Sequence, residues 1–274
     1  MKPHLIQLHH ADPAAIRAAA RHWRLFQGAG RPPDPAADQP GQCAALRAGP
    51  AYPVQQRAGL FRLSHSQARG RPAAPAGGAA TDTAVDPDVD PIRMRDIGSV
   101  GLKFLVLWRN DESPDSRAKL VEEFNKLCTI SGLPSIIEII VKPPTDTSRT
   151  FNREEELIIA AREAASWKPD LYKAEVPFHG EGDLNLVTKN AERISEAIGS
   201  PWVVLSNGVK QPFFNDAVKA CAMGGASGFL AGRAVWADIV GAANIAQALR
   251  EVSIPRLEQL AEIVDTHAKP WTSW

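Results

Sequence analysis

A regular alternation of apolar strands and amphipathic helices after residue 93 constrains the fold of this 274-residue chain most strongly. The strand-like segments are GLKFLVLW (101–108), PSIIEIIV (134–141), DLYKAEVP (170–177), PWVVLSNG (201–208) and SGFLAGRAVW (227–236). Each interval between them holds one helix, which implies parallel pairing through right-handed crossovers. We therefore predict an α/β fold of five βα units, as an open doubly wound sheet or part of a (β/α)8 barrel would use.

The ends of the first two helices after residue 110 can be assigned from single residues. Ser113 is predicted as an N-cap followed by Pro114 at N1, and Gly132 is predicted to end that helix. Asn152 is predicted to cap the next helix, whose first turn is acidic. Further helices are expected near 184–198 and 213–223, with two more closing the chain.

The composition changes sharply near residue 92. Residues 1–92 contain no glutamate, one lysine and 12 of the 22 prolines. We expect a poorly ordered, low-complexity Pro/Ala/Gly/Arg-rich segment over 1–92, with a helix at 12–26 as its exception. Residues 93–274 are then the C-terminal five βα units. A shift of reading frame upstream of residue 93 would produce the same break, and this alternative stays open.

The overall composition is that of an ordinary soluble protein, and the use of cysteine favours a cytosolic one. The chain is 23% charged with a formal net charge of zero, which gives no sign of a nucleic-acid or membrane partner. Cys43, Cys128 and Cys221 are widely spaced, as expected for reduced thiols, and no metal-ligand spacing occurs. We find neither a signal peptide nor an apolar run long enough for a membrane helix.

Polar residues interrupt each of the five apolar strands, and we place them toward the carboxyl ends. They are Lys103, Glu138 and Lys173, followed by the Ser206–Gly208 and Gly232–Arg233 turns. In parallel α/β folds the carboxyl ends of the strands form the active site. The five positions together therefore predict one site.

The segment DLYKAEVP leaves two interpretations open. Strand side chains alternate, so Lys173 and Glu175 point to the same face. On a solvated face they would form an ordinary surface ion pair. On an interior face, apolar walls and a neighbouring cation would lower the pKa of Lys173 from about 10.4 toward neutrality.

An interior lysine of this kind supports one particular chemistry. The neutral amine can form a Schiff base with a ketone, and Glu138 can move the proton that C–C cleavage requires. Glycine-rich turns and the donor fork of Arg233 suit a phosphate group. Glu175 would either orient Lys173 or contact the substrate.

Six segments of the chain, taken in order, resemble one family. They are LKFLVLW, PSIIEIIV, DLYKAEVP, PWVVLSNGV, GASGFLAGRAVW and the terminal TSW. It is the class I aldolases of the tagatose 1,6-bisphosphate aldolase and sulfofructosephosphate aldolase group, and the resemblance covers about 93–274. It implies a (β/α)8 TIM-barrel type of fold. The family's Asp-Gln-Arg motif on its first strand is matched here only by Asp38-Gln39-Pro40, so we expect the first strands to be missing or aberrant.

The resemblance also implies the function and the role of each site residue. The chain would cleave a phosphorylated ketose, of the tagatose 1,6-bisphosphate or sulfofructose 1-phosphate type, to dihydroxyacetone phosphate and an aldehyde. Lys173 would form the Schiff base, Glu138 would transfer protons and Lys103 would be an active-site cation. Ser206, Gly208, Gly232 and Arg233 would hold phosphate, with neither metal nor cofactor.

Two other functions and an assembly remain open from the sequence. One alternative is a Schiff-base 2-keto acid lyase. The other is a catalytically defective or non-catalytic relative that binds sugar phosphates. The sheet edges that missing strands would expose favour a homo-oligomer.

Overall fold

The computed structural model describes residues 83–87, 89–96, 99 and 101–274, together with the backbone of two short strands at 5–8 and 63–66. The predicted helix at 12–26, the Asp38-Gln39 segment and Cys43 lie outside these described residues. The predicted poor order of residues 1–92 also falls largely outside them. Among the described helices, none is both long enough and apolar enough to cross a membrane.

The described strands form a single parallel sheet in the order β1-β7-β6-β5-β4-β3-β2. The strands are β1 (Leu5–Leu8), β2 (Leu63–Ser66), β3 (Gly101–Trp108), β4 (Ser135–Val141), β5 (Leu171–Glu175), β6 (Trp202–Leu205) and β7 (Gly228–Ala231). All five strands predicted after residue 93 are therefore present. Two four-residue strands from the preceding part of the chain pair at the outer ends of this row.

Helices follow the strands as the alternation predicts. They are α1 (Pro91–Asp96), α2 (Pro114–Ser131), α3 (Arg153–Ser166), α4 (Leu184–Ile198), α5 (Phe214–Met223), α6 (Arg233–Trp236), α7 (Ile245–Ala248) and α8 (Ile254–His267). The segment that we predicted as a strand to residue 236 leaves the sheet after Ala231 and turns into α6. A π-helical turn over Leu249–Ser253 joins α7 to α8.

Helix ends agree with the sequence prediction except for one side chain. Gly132 ends α2 in the left-handed conformation with φ 67°, and its N–H donates to the Cys128 and Thr129 carbonyls. The Asn152 side chain accepts from the N–H groups of Glu154 and Glu155 at the start of α3. Ser113 occupies the N-cap position of α2, but its side chain makes no capping hydrogen bond.

The two faces of the sheet are buried in different surroundings. Outward side chains such as Phe104, Ile137 and Trp202 join the large core formed with the helices. Inward side chains form a small separate cluster of Ile136, Leu171, Val203 and Leu230. Because strand side chains repeat every two residues, the residues two positions after this cluster lie just above it on the same face.

Candidate active site

A cavity of about 300 Å³ opens above the inner apolar cluster. It is lined by Lys103, Glu138, Ile140, Lys173, Leu205, Ser206, Asn207, Leu230, Gly232 and Arg233. Six of the eight predicted site residues are in this lining. The structure therefore brings together side chains that the sequence distributes over more than 130 positions.

Two lysines share one carboxylate oxygen at the centre of the cavity. Glu138 Oε2 accepts from Lys103 Nζ at 2.5 Å and from Lys173 Nζ at 3.0 Å. Glu138 and Lys173 are paired in the register of β4 and β5, so they lie side by side. Lys103 is paired in register with Ile136, two residues before Glu138, and its side chain extends along the sheet to reach the Glu138 carboxylate. Lys103 thus lies in the first half of β3, not toward its carboxyl end as we predicted.

Lys173 is a buried amine with a strongly altered pKa. It is 1% exposed, and burial lowers its pKa from 10.5 to about 8. The Glu138 carboxylate opposes this shift because it stabilises the ammonium, whereas the Lys103 ammonium adds to it. Of the two interpretations of DLYKAEVP, the interior one is correct and the surface ion pair is not.

Glu175 points into the same side of the sheet but contacts other partners. Its Oε2 accepts from the Val141 N–H at 2.8 Å, and its Oε1 lies 3.5 Å from Arg153 Nη2. Burial raises the pKa of this carboxyl, an effect that Arg153 and the Val141 hydrogen bond oppose. Glu175 therefore joins the end of β4 to the first turn of α3, and its predicted effect on Lys173 stays a prediction.

The opposite wall of the cavity carries the residues predicted to hold phosphate. Arg233 is exposed, and its Nη2 donates to Asn207 Oδ1 at 3.3 Å. Ser206 and Gly232 line the cavity beside them. Sequence reasoning gave Asn207 no role, although it lies within the predicted Ser206–Gly208 turn and contacts the predicted cation.

Gly208 contacts a histidine that sequence reasoning left without a role. Gly208 has φ 78°, and a Cβ added there would lie 2.7 Å from His179 Nδ1. His179 and Phe178 both have φ 53°, which is uncommon for residues other than glycine. Glu154 Oε2 accepts the Phe178 N–H at 3.0 Å, so α3 helps to hold this turn. No periodicity in the sequence indicates this contact between two loops.

We expect Gly208→Ala to destabilise the protein through two separable effects. The left-handed conformation costs a residue with a Cβ about 1–2 kcal/mol. The contact with the His179 ring adds a second cost, which the double variant Gly208→Ala/His179→Ser should recover because serine lacks the ring. Urea unfolding of the two single variants and the double variant measures both parts. Simple additivity of the single-variant effects would contradict this assignment.

Comparisons with known proteins identify the family of this chain. The family model for DeoC/LacD family aldolases matches residues 74–238 of this chain. The chain belongs to the DeoC/LacD aldolase family. The match begins before residue 93, so it extends further toward the N-terminus than the resemblance that we recognised from the strands.

One curated relative of this DeoC/LacD family member is tagatose 1,6-diphosphate aldolase 1 of Enterococcus faecalis (strain ATCC 700802 / V583). The identity is 28% over 169 residues, which cover 53% of this chain and 52% of the relative. The chain thus matches about half the length of that relative.

Solved structures of aldolases are also similar to this chain. A crystal structure of an archaeal fructose 1,6-bisphosphate aldolase matches 96% of this chain and 94% of its own, with TM-score 0.52 and 16% identity. A second archaeal fructose-1,6-bisphosphate aldolase, with its catalytic lysine bound to a carbinolamine intermediate, has TM-score 0.44 and 16% identity. That match covers 63% of this chain and 61% of the other. The first likeness confirms the predicted fold of the (β/α)8 barrel type.

Proposed function

We propose that this chain is a Schiff-base-forming aldolase that cleaves a phosphorylated ketose to dihydroxyacetone phosphate and an aldehyde. The observation that carries the proposal is the buried Lys173 amine, with a pKa near 8, 3.0 Å from a carboxylate. Membership of an aldolase family supports it. We further propose that the enzyme acts in cytoplasmic carbohydrate metabolism, on a ketose of the tagatose 1,6-bisphosphate or sulfofructose 1-phosphate type.

Imine formation begins at Lys173. Its neutral amine attacks the C2 carbonyl of the ketose to form a carbinolamine, which loses water to give a protonated imine. The imine takes up electrons at C2 and so replaces a metal as the electron sink. Because the pKa is near 8, a substantial fraction of the amine is neutral at physiological pH, in contrast to an exposed lysine.

Cleavage and release then need a group that moves protons. Glu138 takes the proton from the C4 hydroxyl as the C3–C4 bond breaks, and the bonding electrons flow into the imine to form an enamine. The aldehyde leaves, C3 is protonated, and water hydrolyses the imine to regenerate Lys173. Lys103 donates to the same Glu138 oxygen, so it holds the carboxylate in place beside Lys173.

The other wall of the cavity suits the phosphate of the dihydroxyacetone half. Arg233 offers a planar set of N–H donors, and Asn207 fixes one of its nitrogens. The Ser206 hydroxyl and the Gly232 backbone lie next to it. We propose that these groups bind the C1 phosphate. Gly208 lies outside the cavity lining, and its proposed role is the close contact with His179.

Reductive trapping tests the proposed function. Borohydride added with dihydroxyacetone phosphate should join the two molecules through a stable secondary amine at Lys173, which peptide mass mapping locates. Pyruvate in place of dihydroxyacetone phosphate tests the 2-keto acid lyase alternative. A cooperatively folded sample that gives no adduct at Lys173 with dihydroxyacetone phosphate would overturn the proposal.

A further inference from the structure

Lys142 follows β4 and continues its inward-facing row. Glu138 and Ile140 line the cavity, and Lys142 is two residues further on. The Lys142 N–H donates to the Trp108 carbonyl at 2.8 Å, so the pairing with β3 extends to this residue. Pro143 follows directly, and a residue before proline is held in an extended conformation. The alternation therefore persists, which places Lys142 on the same face as Ile140 and two residues beyond the lining of the cavity.

The charge of Lys142 acts on a carboxylate of the inner face of the sheet. Its ammonium lowers the pKa of Glu175, whose carboxylate lies on the inner face of β5. Yet Lys142 Nζ has no carboxylate within 4.0 Å among the described residues, unlike Lys103 and Lys173. Arg153, which is the other cation near Glu175, already pairs with Glu154 at 2.9 Å. Lys142 is thus a partly buried cation that is available to a ligand.

Lys142 and Arg233 lie on different sides of the reactive amine. In the sheet, β4 is three steps from β7, and Lys173 is on β5 between them. At about 4.8 Å for each step, the two cations are separated by roughly 14 Å along the sheet, and by less across its curvature. An extended six-carbon sugar with an anionic group at each end matches such a span.

We propose that Lys142 binds a terminal oxyanion, phosphate or sulfonate, on the aldehyde half of the substrate. The inference rests on the proposed function, since it takes Lys173 as the site of the imine and Arg233 as the site of the C1 phosphate. With those two points occupied, C4 to C6 extend away from β7 and toward β4. Lys142 is then a specificity-determining residue for the far end of the ketose.

Aldol condensation with different aldehydes tests this assignment. Dihydroxyacetone phosphate is combined with glyceraldehyde 3-phosphate, with the sulfonate analogue 3-sulfolactaldehyde, or with uncharged glyceraldehyde. Lys142→Met should lower kcat/KM for the preferred anionic aldehyde roughly 10- to 100-fold, the effect of losing one charge-assisted hydrogen bond. The value for glyceraldehyde should not change. Lys142→Arg should retain most of the preference, and Lys142→Glu should reverse it.

The controls separate this inference from the proposed function. Lys219 is an exposed lysine on α5, and Lys219→Met should leave all three aldehydes unaffected. Borohydride trapping and the aldehyde panel can give different results. If dihydroxyacetone phosphate is still trapped on Lys173, but Lys142→Met has the wild-type kcat/KM for all three aldehydes, the role of Lys142 is wrong and the proposed function stands. If the wild type forms no adduct, both fall. A selective loss with one anionic aldehyde identifies which oxyanion is bound.

Discussion

Replacing Lys173 with methionine is expected to abolish aldol cleavage and also to make the folded protein more stable at pH 7. Methionine fills much of the same buried volume but cannot form an imine, so turnover should fall by about 10⁴-fold or more. The gain in stability has a separate origin. Folding removes this amine from water, and its ammonium form is poorly compensated there.

The sign of the stability effect follows from the pKa shift. The pKa of Lys173 is about 8 in the folded protein, against 10.5 ordinarily, so the unfolded chain binds more protons between these values. The destabilising effect of burying Lys173 therefore shrinks as pH rises through this window, and the free energy of unfolding of the wild type increases by on the order of 3 kcal/mol. The advantage of Lys173→Met should be largest below pH 8 and should shrink toward pH 10.5.

Urea unfolding of both proteins from pH 6 to pH 10.5 measures this effect as a difference. The subtraction is needed because burial raises the pKa of Cys128 and Cys221 to about 12, and that of Tyr172 as well. These groups reduce stability at high pH in both proteins, so their contribution cancels. A stability difference that stays constant with pH would contradict the burial of a neutral amine. The exposed-site variant Lys219→Met should show no such pH dependence.

The second large effect is expected for Glu138→Gln. Glutamine keeps the shape of the side chain but cannot take a proton, so kcat should fall about 10²- to 10⁴-fold. Borohydride should still trap dihydroxyacetone phosphate on Lys173, because the nucleophile is retained. The pKa of Lys173 should also fall below its wild-type value, since the carboxylate is the group that stabilises the ammonium.

Lys103→Met is expected to shift the pKa of Lys173 in the opposite direction to Glu138→Gln. It removes a cation that lowers the pKa of Lys173, so that pKa should rise while Glu138 keeps its bond to Lys173. The pH dependence of the trapping rate measures both shifts. If the pKa of Lys173 shifted in the same direction in both variants, the shared carboxylate of Glu138 would be ruled out as the cause of that pKa.

Much of the fold after residue 93 was predictable because its signals are local. Apolar runs of strand length, glycine at the end of α2 and asparagine at the start of α3 act on their own neighbours along the chain. The prediction failed where a local signal had two meanings. The segment GRAVW is apolar enough for a strand, yet β7 ends at Ala231 because Gly232, with ψ −94°, leaves the extended conformation and a helix begins at Arg233.

For the candidate site, the sequence by itself determined which side chains share one face of their strand. The two-residue repeat puts Glu138 above Ile136 and Lys173 above Leu171, whatever the neighbouring strands are. The same repeat and Pro143 put Lys142 on the face that Glu138 occupies. A polar residue at such a position is interpretable from sequence because its surroundings on its own strand are apolar.

Only the tertiary structure decided which of these side chains meet. One oxygen of Glu138 receives both lysines because β3, β4 and β5 are adjacent and in a particular register. The same is true of Glu175, which binds Val141 and Arg153, and of Gly208, which lies under His179. Spacing along a strand fixes a face, but a distance between strands depends on sheet order, register and side-chain packing, which the whole fold sets together.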